Sequence, residues 1–430
     1  MITRFIKVCE EKQESTAFIA GNKRISFQKL LSDVYRMANF FIENGIEKGS
    51  KALLYFLPSY DFYVLLFACI YYGVNIVTPD SYKDKQRLAR VMEKEKINCV
   101  FCKGVTNFLR FGFPKGTAFV DVGDYHKYSD KKTQKNDDEN SVVLTTFTSG
   151  TTGEPKPIYR SLAFLKKQIE SISQNIDIAD NFVTFGGLPI YALYAVYNGK
   201  TCVINRKLQA KQCKKYHADT VFAPIALLVK AKGDFSCVRR VYFGGARLYQ
   251  RQAKVLLAKF PNAKIQYNYG ASECALMGMT ELNYYLKNDF AIQTIAKDAR
   301  LFLTEQDEKG VGRICAEGEC VLTENKQYHS NDLGYIDEKG LHIVGRKKYS
   351  DGGVYNYLLD DEILSKNEKV KKGFSFVYQG KIYFCYEGKI MDKTDGVIYV
   401  KFTKLPMDAK HKTKLDYQKT IKILEKKQKV

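Results

Sequence analysis

The sequence predicts an α/β protein with a large N-terminal domain of layered, parallel-rich sheets and a small C-terminal α+β domain joined by a hinge. Its 430 residues, 45% of them hydrophobic, exceed one ordinary domain and supply a large core. Strand and helix patterns alternate from Lys51 onward, which favours parallel strands joined by helices. After Arg346 the pattern changes to short alternating segments. We therefore place the domains at residues 1–346 and 347–430.

The N-terminal elements follow from hydrophobic spacing and from the positions of glycines. Ser26 can cap a helix whose apolar residues recur at helical spacing through Phe41. A strand over 51–57 and a second helix that starts at Pro58-Ser59 come next. Further along the chain, the pattern predicts a helix over 159–176, a hairpin turn at 337–340 and short alternating segments at 374–378, 381–386 and 397–402. The apolar run 62–78 is broken by Gly73 and Asn75, so we interpret it as a buried helix, a turn and a strand rather than a membrane span.

Charge and cysteine content indicate which kinds of partner and which cellular compartment suit the chain. The formal charge of +21 comes mainly from lysines spread along the chain, without a dense arginine face or a nucleic-acid motif. This favours a solvated surface over a nucleic-acid partner, and it also suits acidic partners. The eleven cysteines are scattered in apolar contexts, which favours reduced thiols and a cytoplasmic location. Cys99 and Cys102 lack a second pair, so their CxxC spacing predicts no metal site.

The stretch from Thr145 to Lys156 concentrates hydroxyl residues and glycines after the predicted strand Val142–Leu144. A loop of this composition exposes many backbone N–H groups and hydroxyls, which suit phosphate oxygens, and Lys156 adds a mobile charge. A polar surface turn is the alternative that the residues alone leave open. No Gly-Lys-Ser/Thr ends the stretch, so it is not a Walker loop.

Two later segments carry residues suited to a nucleotide. Tyr269 offers a flat face for a purine, Gly270 permits close approach of backbone to a ligand, and Glu273 offers a hard oxygen for Mg²⁺. A solvated turn at the end of a strand explains this segment equally well. Asp332 can accept hydrogen bonds from two ribose hydroxyls, or can form an Asx-turn with Asn331.

These motifs, in this order, resemble the adenylate-forming (AMP-binding) superfamily of acyl- and aryl-CoA ligases, peptide-synthetase adenylation domains and luciferases. Residues 148–156 resemble its phosphate loop, 268–273 its adenine and magnesium motif, and 328–335 its ribose motif. Residues 341–346 are similar to the pattern that leads into its hinge. The resemblance covers nearly the whole chain and is strongest at 148–156.

The resemblance implies a role for each matched residue. The implied ATP- and AMP-binding residues are Thr148, Ser149, Gly150, Thr151, Thr152, Gly153, Lys156, Gly244, Gly245, Ala246, Tyr269, Gly270, Ser272, Asp332 and Arg346. The implied catalytic residues are Lys414, Thr151 and Glu273, and Glu273 would also hold Mg²⁺. Lys414 is aligned through the tail Leu415-Asp416-Tyr417, and Lys410 and Lys412 are its rivals.

The implied activity is ATP-dependent activation of a small carboxylic acid to an acyl-adenylate, with pyrophosphate release and transfer to a thiol. The implied acceptor is CoA, or the phosphopantetheine of an acyl or peptidyl carrier protein. Thr413 stands where the family has Gly, and the C-terminal domain is short, so a catalytically silent nucleotide-binding protein is an alternative. A basic nucleic-acid-binding protein is a further one. The short, tyrosine-rich segment 189–199 favours a small or aryl acid.

Overall fold

The computed structural model describes residues 1–79, 84–104, 112–149, 155–176, 183–186, 189–204, 207–319, 321–323, 325–407 and 415–428. These residues form two compact units. Unit 1 comprises residues 1–223 and 231–233, and unit 2 comprises 224–230 and 234–430. The predicted domain boundary after Arg346 lies inside unit 2, and it stays a prediction.

Unit 1 contains two sheets with helices around them. Its α-helices are α1 (Ile2–Glu11), α2 (Phe27–Glu43), α3 (Tyr60–Tyr72), α4 (Lys85–Lys94), α5 (Leu162–Asn175), α6 (Pro189–Tyr197) and α7 (Ala210–Lys215). Its strands are β1 (Thr16–Ala20), β2 (Lys23–Ser26), β3 (Lys51–Leu54), β4 (Asn75–Thr78), β5 (Cys99–Cys102), β6 (Ala118–Asp121), β7 (Val142–Ser149), β8 (Pro155–Ser161), β9 (Val183–Gly186), β10 (Thr201–Ile204) and β11 (Thr220–Phe222).

The sheets of unit 1 are rich in parallel pairs. One sheet has the order β6-β5-β3-β4-β7-β8, and the other contains β11-β9-β10-β1-β2 in that order. Neighbouring strands in both are parallel except at β7–β8 and β1–β2. This arrangement follows from the strand–helix alternation, because parallel neighbours need a crossover connection.

The predicted start of the chain is confirmed in its main points. Ser26 caps α2 by accepting a hydrogen bond from the Lys29 amide at 3.1 Å, and Ser59 caps α3 in the same way. Gly73 ends α3 in the left-handed conformation, at a φ of 97°. Nearly all of α3 is buried. Among the described residues, no helix combines the length and the apolar character that crossing a bilayer requires.

Unit 2 is built from three groups of strands. Its helices are α8 (Ile225–Lys230), α9 (Gln250–Lys259), α10 (Leu282–Lys287), α11 (Asn356–Lys366) and α12 (Tyr417–Gln428). Its strands are β12 (Arg240–Gly244), β13 (Lys264–Ala271), β14 (Ala275–Glu281), β15 (Ala291–Ile292), β16 (Thr294–Ile295), β17 (Arg300–Thr304), β18 (Gly312–Glu317), β19 (Gln327–Asp337), β20 (Gly340–Arg346), β21 (Val370–Tyr378), β22 (Lys381–Gly388) and β23 (Val397–Lys401).

The three groups of strands differ in pairing. The first has the order β16-β14-β13-β12, the second is the antiparallel sheet β15-β20-β19-β18-β17, and the third is β21-β22-β23. The turn predicted at 337–340 joins β19 and β20, and the three alternating segments predicted after residue 370 form the third sheet. Helix α11 and the antiparallel character of the second sheet were not predicted.

Candidate functional site

The phosphate-loop motif lies where two antiparallel strands of unit 1 meet. β7 and β8 pair from Val142–Ser161 to Ser149–Pro155, so residues 150–154 connect two hydrogen-bonded strand ends. Gly150, Thr151, Thr152 and Gly153 lie outside the described residues. Thr148 and Ser149 end β7, and Lys156 is exposed on β8 opposite Thr148. The motif is thus narrower than the predicted stretch, because 145–149 and 155–161 are strands.

Two of the hydroxyls in that stretch serve the sheet. Thr145 Oγ1 donates to Asn75 Oδ1 at 2.9 Å, within the buried interior of unit 1. Thr146 Oγ1 accepts from an Arg160 guanidinium nitrogen at 2.7 Å, and Arg160 Nε donates to Gln168 at 3.1 Å. These contacts hold β7 against β4 and β8, and so they position the strand ends that carry the loop.

One expectation for unit 1 changes with the structure. The helix predicted from Tyr159 begins at Leu162, because 155–161 pair with β7 as a strand, and Ser161 caps the helix.

The tyrosine-rich segment 189–199, from which a small or aryl acid is predicted, lies mostly on α6, and that preference stays a prediction. Tyr194 and Tyr197 are buried, and Tyr191 stacks on Phe222 with ring centroids 4.1 Å apart. These rings therefore contribute to packing.

The adenine motif lies at the turn between β13 and β14 in unit 2. Tyr269 and Gly270 end β13, and the half-buried Ser272 and Glu273 occupy the turn. A Cβ on Gly270 would overlap the carbonyl oxygen of Ala275, so this glycine permits close approach of the neighbouring strand. Ala275 itself has a φ of 47°, a conformation that a non-glycine residue rarely adopts.

The glycine pair lies beside the same motif. Gly244 ends β12, which pairs in parallel with β13, and a Cβ there would overlap the backbone carbonyl of Asn268. Gly245 has a φ of 78°, which favours glycine. Ala246 follows, and its carbonyl accepts a hydrogen bond from the Tyr267 hydroxyl at 3.1 Å. The segment 244–246 is therefore packed closely on the strand that carries Tyr269.

Asp332 is the centre of the described part of the site. β19 and β20 bring it opposite Arg346, whose Nε donates to Asp332 Oδ1 at 2.8 Å. The Tyr269 hydroxyl donates to Asp332 Oδ2 at 3.2 Å. The Asp332 carboxylate holds the pKa of Arg346 well above its usual range, and burial and Asp332 raise the pKa of Tyr269. Both groups thus keep the protons that they donate.

Glu273 is the candidate metal ligand. Its backbone carbonyl accepts from the Leu322 amide at 2.9 Å, and burial together with the Glu273 carboxylate raises the pKa of Tyr328. The described residues contain no cluster of three or more His, Cys, Asp or Glu side chains that could enclose a metal. A single half-buried carboxylate fits Mg²⁺, which commonly takes its other ligands from phosphate oxygens and water.

Lys414 and its rivals Lys410 and Lys412 lie outside the described residues. The residues on either side of that segment are joined, since Met407 and Leu415 form an antiparallel bridge. The Asp416 amide also donates to the Pro406 carbonyl at 2.9 Å. The residues that flank segment 408–414 therefore lie side by side in unit 2.

A largely buried arginine–aspartate pair in unit 2 was not predicted from the sequence. Arg247 follows the glycine pair and donates to Asp361 Oδ2 at 2.6 Å, and its guanidinium lies 5.0 Å from the centre of the Tyr357 ring. The sequence does not identify the partner of Arg247, because the two residues are 114 positions apart. An arginine directly after Gly-Gly-Ala was the one local hint.

A layered α/β fold is typical of nucleotide-binding proteins when motifs predicted to bind phosphate, purine and ribose lie at its strand ends. The model of the family described as "AMP-binding enzyme" matches residues 5–324. The chain belongs to this family, and the predicted resemblance is confirmed.

Individual proteins give the same picture. 4-Coumarate–CoA ligase 1 of Solanum tuberosum is 26% identical over 274 residues, 52% of this chain and 49% of that enzyme. This chain therefore spans about half the length of the curated relatives it matches first. D-alanine–D-alanyl carrier protein ligase of Staphylococcus epidermidis is 24% identical over 87% of this chain and 76% of its own. o-Succinylbenzoate CoA synthetase of Bacillus subtilis, solved with its acyl-adenylate, superposes with a TM-score of 0.84 at 15% identity over 97% of each chain, which confirms the predicted fold class.

Proposed function

We propose that this chain uses ATP to activate a carboxylic acid as an acyl-adenylate and then transfers the acyl group to a thiol. The observation that carries the proposal is the Asp332 carboxylate, held at one oxygen by Arg346 and at the other by the Tyr269 hydroxyl. The two donors orient the carboxylate, and the second lone pair on each of its oxygens can accept a hydrogen bond from a ribose hydroxyl. Family membership supports the same reaction.

In the first step, an oxygen of the substrate carboxylate attacks the α-phosphorus of ATP. The bond from that phosphorus to the bridging oxygen breaks, and pyrophosphate leaves with the electron pair. This chemistry depends on positioning and on neutralisation of charge. Residues 148–153 and Lys156 would bind the β- and γ-phosphates, Tyr269 the adenine, and Asp332 with Arg346 the ribose.

Three further groups complete the proposed step. Glu273 would hold Mg²⁺, which supplies charge neutralisation at the phosphate oxygens when bound. Lys414 would neutralise the charge that develops where the carboxylate meets the α-phosphate. Gly244, Gly245, Ala246, Gly270 and Ser272 would shape the pocket around the adenine and the acyl group.

In the second step, the sulfur of a thiolate attacks the acyl carbon, and AMP leaves with the electrons of the acyl–oxygen bond. We propose CoA as the thiol, because relatives that match the chain are CoA ligases by name. The residues after Arg346 would turn about this hinge between the two steps, so that each step has its own arrangement.

A carrier protein is a second candidate acceptor. The alignment with the D-alanyl carrier protein ligase spans 87% of this chain, far more than the alignment with the CoA ligase. The formal charge of +21 also suits an acidic carrier protein, although CoA phosphates would gain from it in the same way. The two acceptors are separated by experiment.

The test is pyrophosphate release from ATP and Mg²⁺ across a panel of carboxylic acids, with and without CoA. Release with one class of acid, increased by CoA, supports an acyl-CoA ligase and identifies the substrate. Release that CoA leaves unchanged favours a carrier protein. No release with any acid, together with measurable ATP binding, would contradict the proposal and favour a silent nucleotide-binding protein.

Lys414→Ala tests the proposed charge neutralisation. We expect adenylate formation to fall by at least about 100-fold with little change in ATP affinity, because the lysine acts where charge develops in the transition state. Lys410→Ala and Lys412→Ala are matched controls in the same segment. Unchanged pyrophosphate release by Lys414→Ala, with loss in either control, would move the role to the other lysine.

A further inference from the structure

One short segment of unit 2 makes an unusually dense polar contact with residues that follow Arg346. The segment is 247–251, between the glycine pair and the first turn of α9. The Gln250 amide donates to Asp361 Oδ1 at 3.1 Å, and the Arg247 guanidinium donates to Asp361 Oδ2 at 2.6 Å. Both oxygens of one α11 carboxylate are therefore bound by this segment.

The contact continues on either side of Asp361. The Tyr249 hydroxyl donates to the buried Asp360 at 3.2 Å. The Arg251 guanidinium donates to the carbonyls of Val370 and Lys371, at 2.6 and 3.1 Å, where β21 begins. We call this set of bonds the 247–251 contact. It joins residues before the predicted hinge to a helix and a strand after it.

Arg247 is the most enclosed part of the contact. Its side chain is 8% exposed and that of Asp361 is 11% exposed, so the pair is largely shielded from solvent. Within the described residues, Arg247 Nε is buried without a hydrogen-bond partner. A buried arginine in this state depends strongly on its remaining bonds, because an unpaired charge in the interior is costly.

The contact adjoins the candidate nucleotide site. Arg247 also donates to the Ile343 carbonyl at 3.0 Å, on the strand that ends at Arg346. Its guanidinium lies 5.0 Å from the centre of the ring of Tyr357, an α11 residue whose pKa is raised by burial. Asn356, at the start of α11, accepts from the Arg346 amide at 2.8 Å. Arg247 thus contacts both α11 and the strand that positions the ribose-binding pair.

We infer that Arg247 is a positioning residue, and that its pair with Asp361 holds residues 347–430 in the arrangement that forms the acyl-adenylate. This inference rests on the proposed function. In this arrangement Asn356, at the start of α11, binds the Arg346 amide, so the candidate nucleotide site is in contact with a side chain from beyond the hinge. Any turn about Arg346 that moves α11 away must first break the bonds of Arg247 and Gln250 to Asp361.

The first test measures the contact without substrate. Hydrogen–deuterium exchange of α11 amides is compared between the unsubstituted chain and three variants, which are Arg247→Met, Asp361→Asn and the double variant. We expect each single variant to speed exchange about tenfold, and the double variant to equal the faster single one, because both remove the same interaction. Glu362→Gln is the matched control, since Glu362 is the next residue on α11 and binds Lys366 and Thr394 at the surface.

The second test separates the two half-reactions with the acid that the panel identifies. We expect Arg247→Met and Asp361→Asn to slow pyrophosphate release about tenfold, because a misplaced binding group loses reactive geometry. Transfer from purified acyl-adenylate to CoA should stay within about twofold or become faster. Glu362→Gln should leave both rates unchanged.

Each outcome decides between the two proposals. Equal loss in both half-reactions, or unchanged α11 exchange, would overturn the positioning role and leave the proposed function intact. A wild-type chain that releases no pyrophosphate with any acid would overturn the proposed function, and with it the role of Arg247 in adenylate formation.

Discussion

Among the described residues of unit 2, two arginine–aspartate pairs share a bonding pattern and differ in exposure. Arg346 and Asp332 are joined at 2.8 Å, with the Tyr269 hydroxyl on the second carboxylate oxygen. Arg247 and Asp361 are joined at 2.6 Å, with the Gln250 amide on the second oxygen. The first pair is 29% and 15% exposed, and the second is 8% and 11% exposed. The more open pair is suited to meet a ligand, while the enclosed pair can only hold protein to protein.

The difference in exposure shows how an arginine–aspartate pair can serve either ligand binding or the positioning of protein segments. A half-open pair keeps its charges hydrated in the absence of ligand, so removing one member costs little stability. An enclosed pair has lost that hydration, and its members depend on each other. We therefore expect substitutions at Asp332 to change ligand affinity most, and substitutions at Asp361 to change stability and the ratio of half-reactions.

The largest expected effect is on ATP binding. Asp332→Asn should weaken ATP affinity about 100-fold, because it loses charge-assisted bonds to the ribose and leaves Arg346 without its counter-ion. Isothermal titration calorimetry measures it, and Glu338→Gln, an exposed carboxylate on the same hairpin, is the control. An affinity within threefold of wild type for Asp332→Asn would remove Asp332 from the site.

The next effect is the contrast in stability between the two pairs. Asp361→Ala should lower the free energy of unfolding by about 3 kcal/mol, because it leaves the enclosed Arg247 unpaired. Asp332→Ala should cost only about 1 kcal/mol. Thermal unfolding measures the contrast as a difference of several degrees between the midpoints. Glu281→Gln, from the exposed Lys264–Glu281 pair, is the control and should shift the midpoint least. Equal midpoints for the two alanine variants would show that exposure does not separate the pairs.

The last prediction concerns Asp360, which has a tyrosine donor like Asp332 but, among the described residues, no arginine bonded to it. Burial raises the pKa of Asp360 from 3.8 to about 8, against the hydrogen bonds from Ser375 and Tyr249, and with the neighbouring Asp361 adding to the rise. Because the folded pKa is the higher one, its contribution to stability is full below pH 4 and is lost as the pH rises toward 8.

The Asp360 prediction is measured as a pH profile. Between pH 5 and 8, wild-type stability should fall by up to about 1.4 kcal/mol per pH unit from this group. Asp360→Asn does not titrate, so its thermal midpoint should fall less over the same range. Parallel profiles for the two proteins would show that Asp360 is ionised in the folded chain throughout.

The local motifs were predictable, and the long-range contacts were not. Tyr269, Glu273, Asp332 and Arg346 could be proposed as site residues because each lies in a short run with fixed spacing. The register of β19 and β20 then places Asp332 opposite Arg346. The Arg247–Asp361 pair depends on the packing of α9 against α11, and no periodicity in either segment encodes it. Exposure, which separates the two pairs, is a property of packing alone.

The secondary-structure prediction was wrong where hydroxyl residues suit both a loop and a strand. Thr145 and Thr146 suggested a phosphate loop, but threonine is also a strand former, and both hydroxyls found partners in the sheet. The helix start at Tyr159 was wrong for a different reason. The short segment before Leu162 fits either a helical or a strand period, and its pairing with β7 makes it a strand.

The bulge in the β19–β20 hairpin constrains how this chain can vary over evolutionary time. Register shifts by one residue between Leu333 and Gly334, and this shift lies beside the Asp332–Arg346 match. A one-residue insertion or deletion between Asp332 and the turn would turn the strand over and send the carboxylate to the opposite face. The number of residues between Asp332 and Arg346 is therefore constrained more tightly than the identity of the exposed side chains along the hairpin.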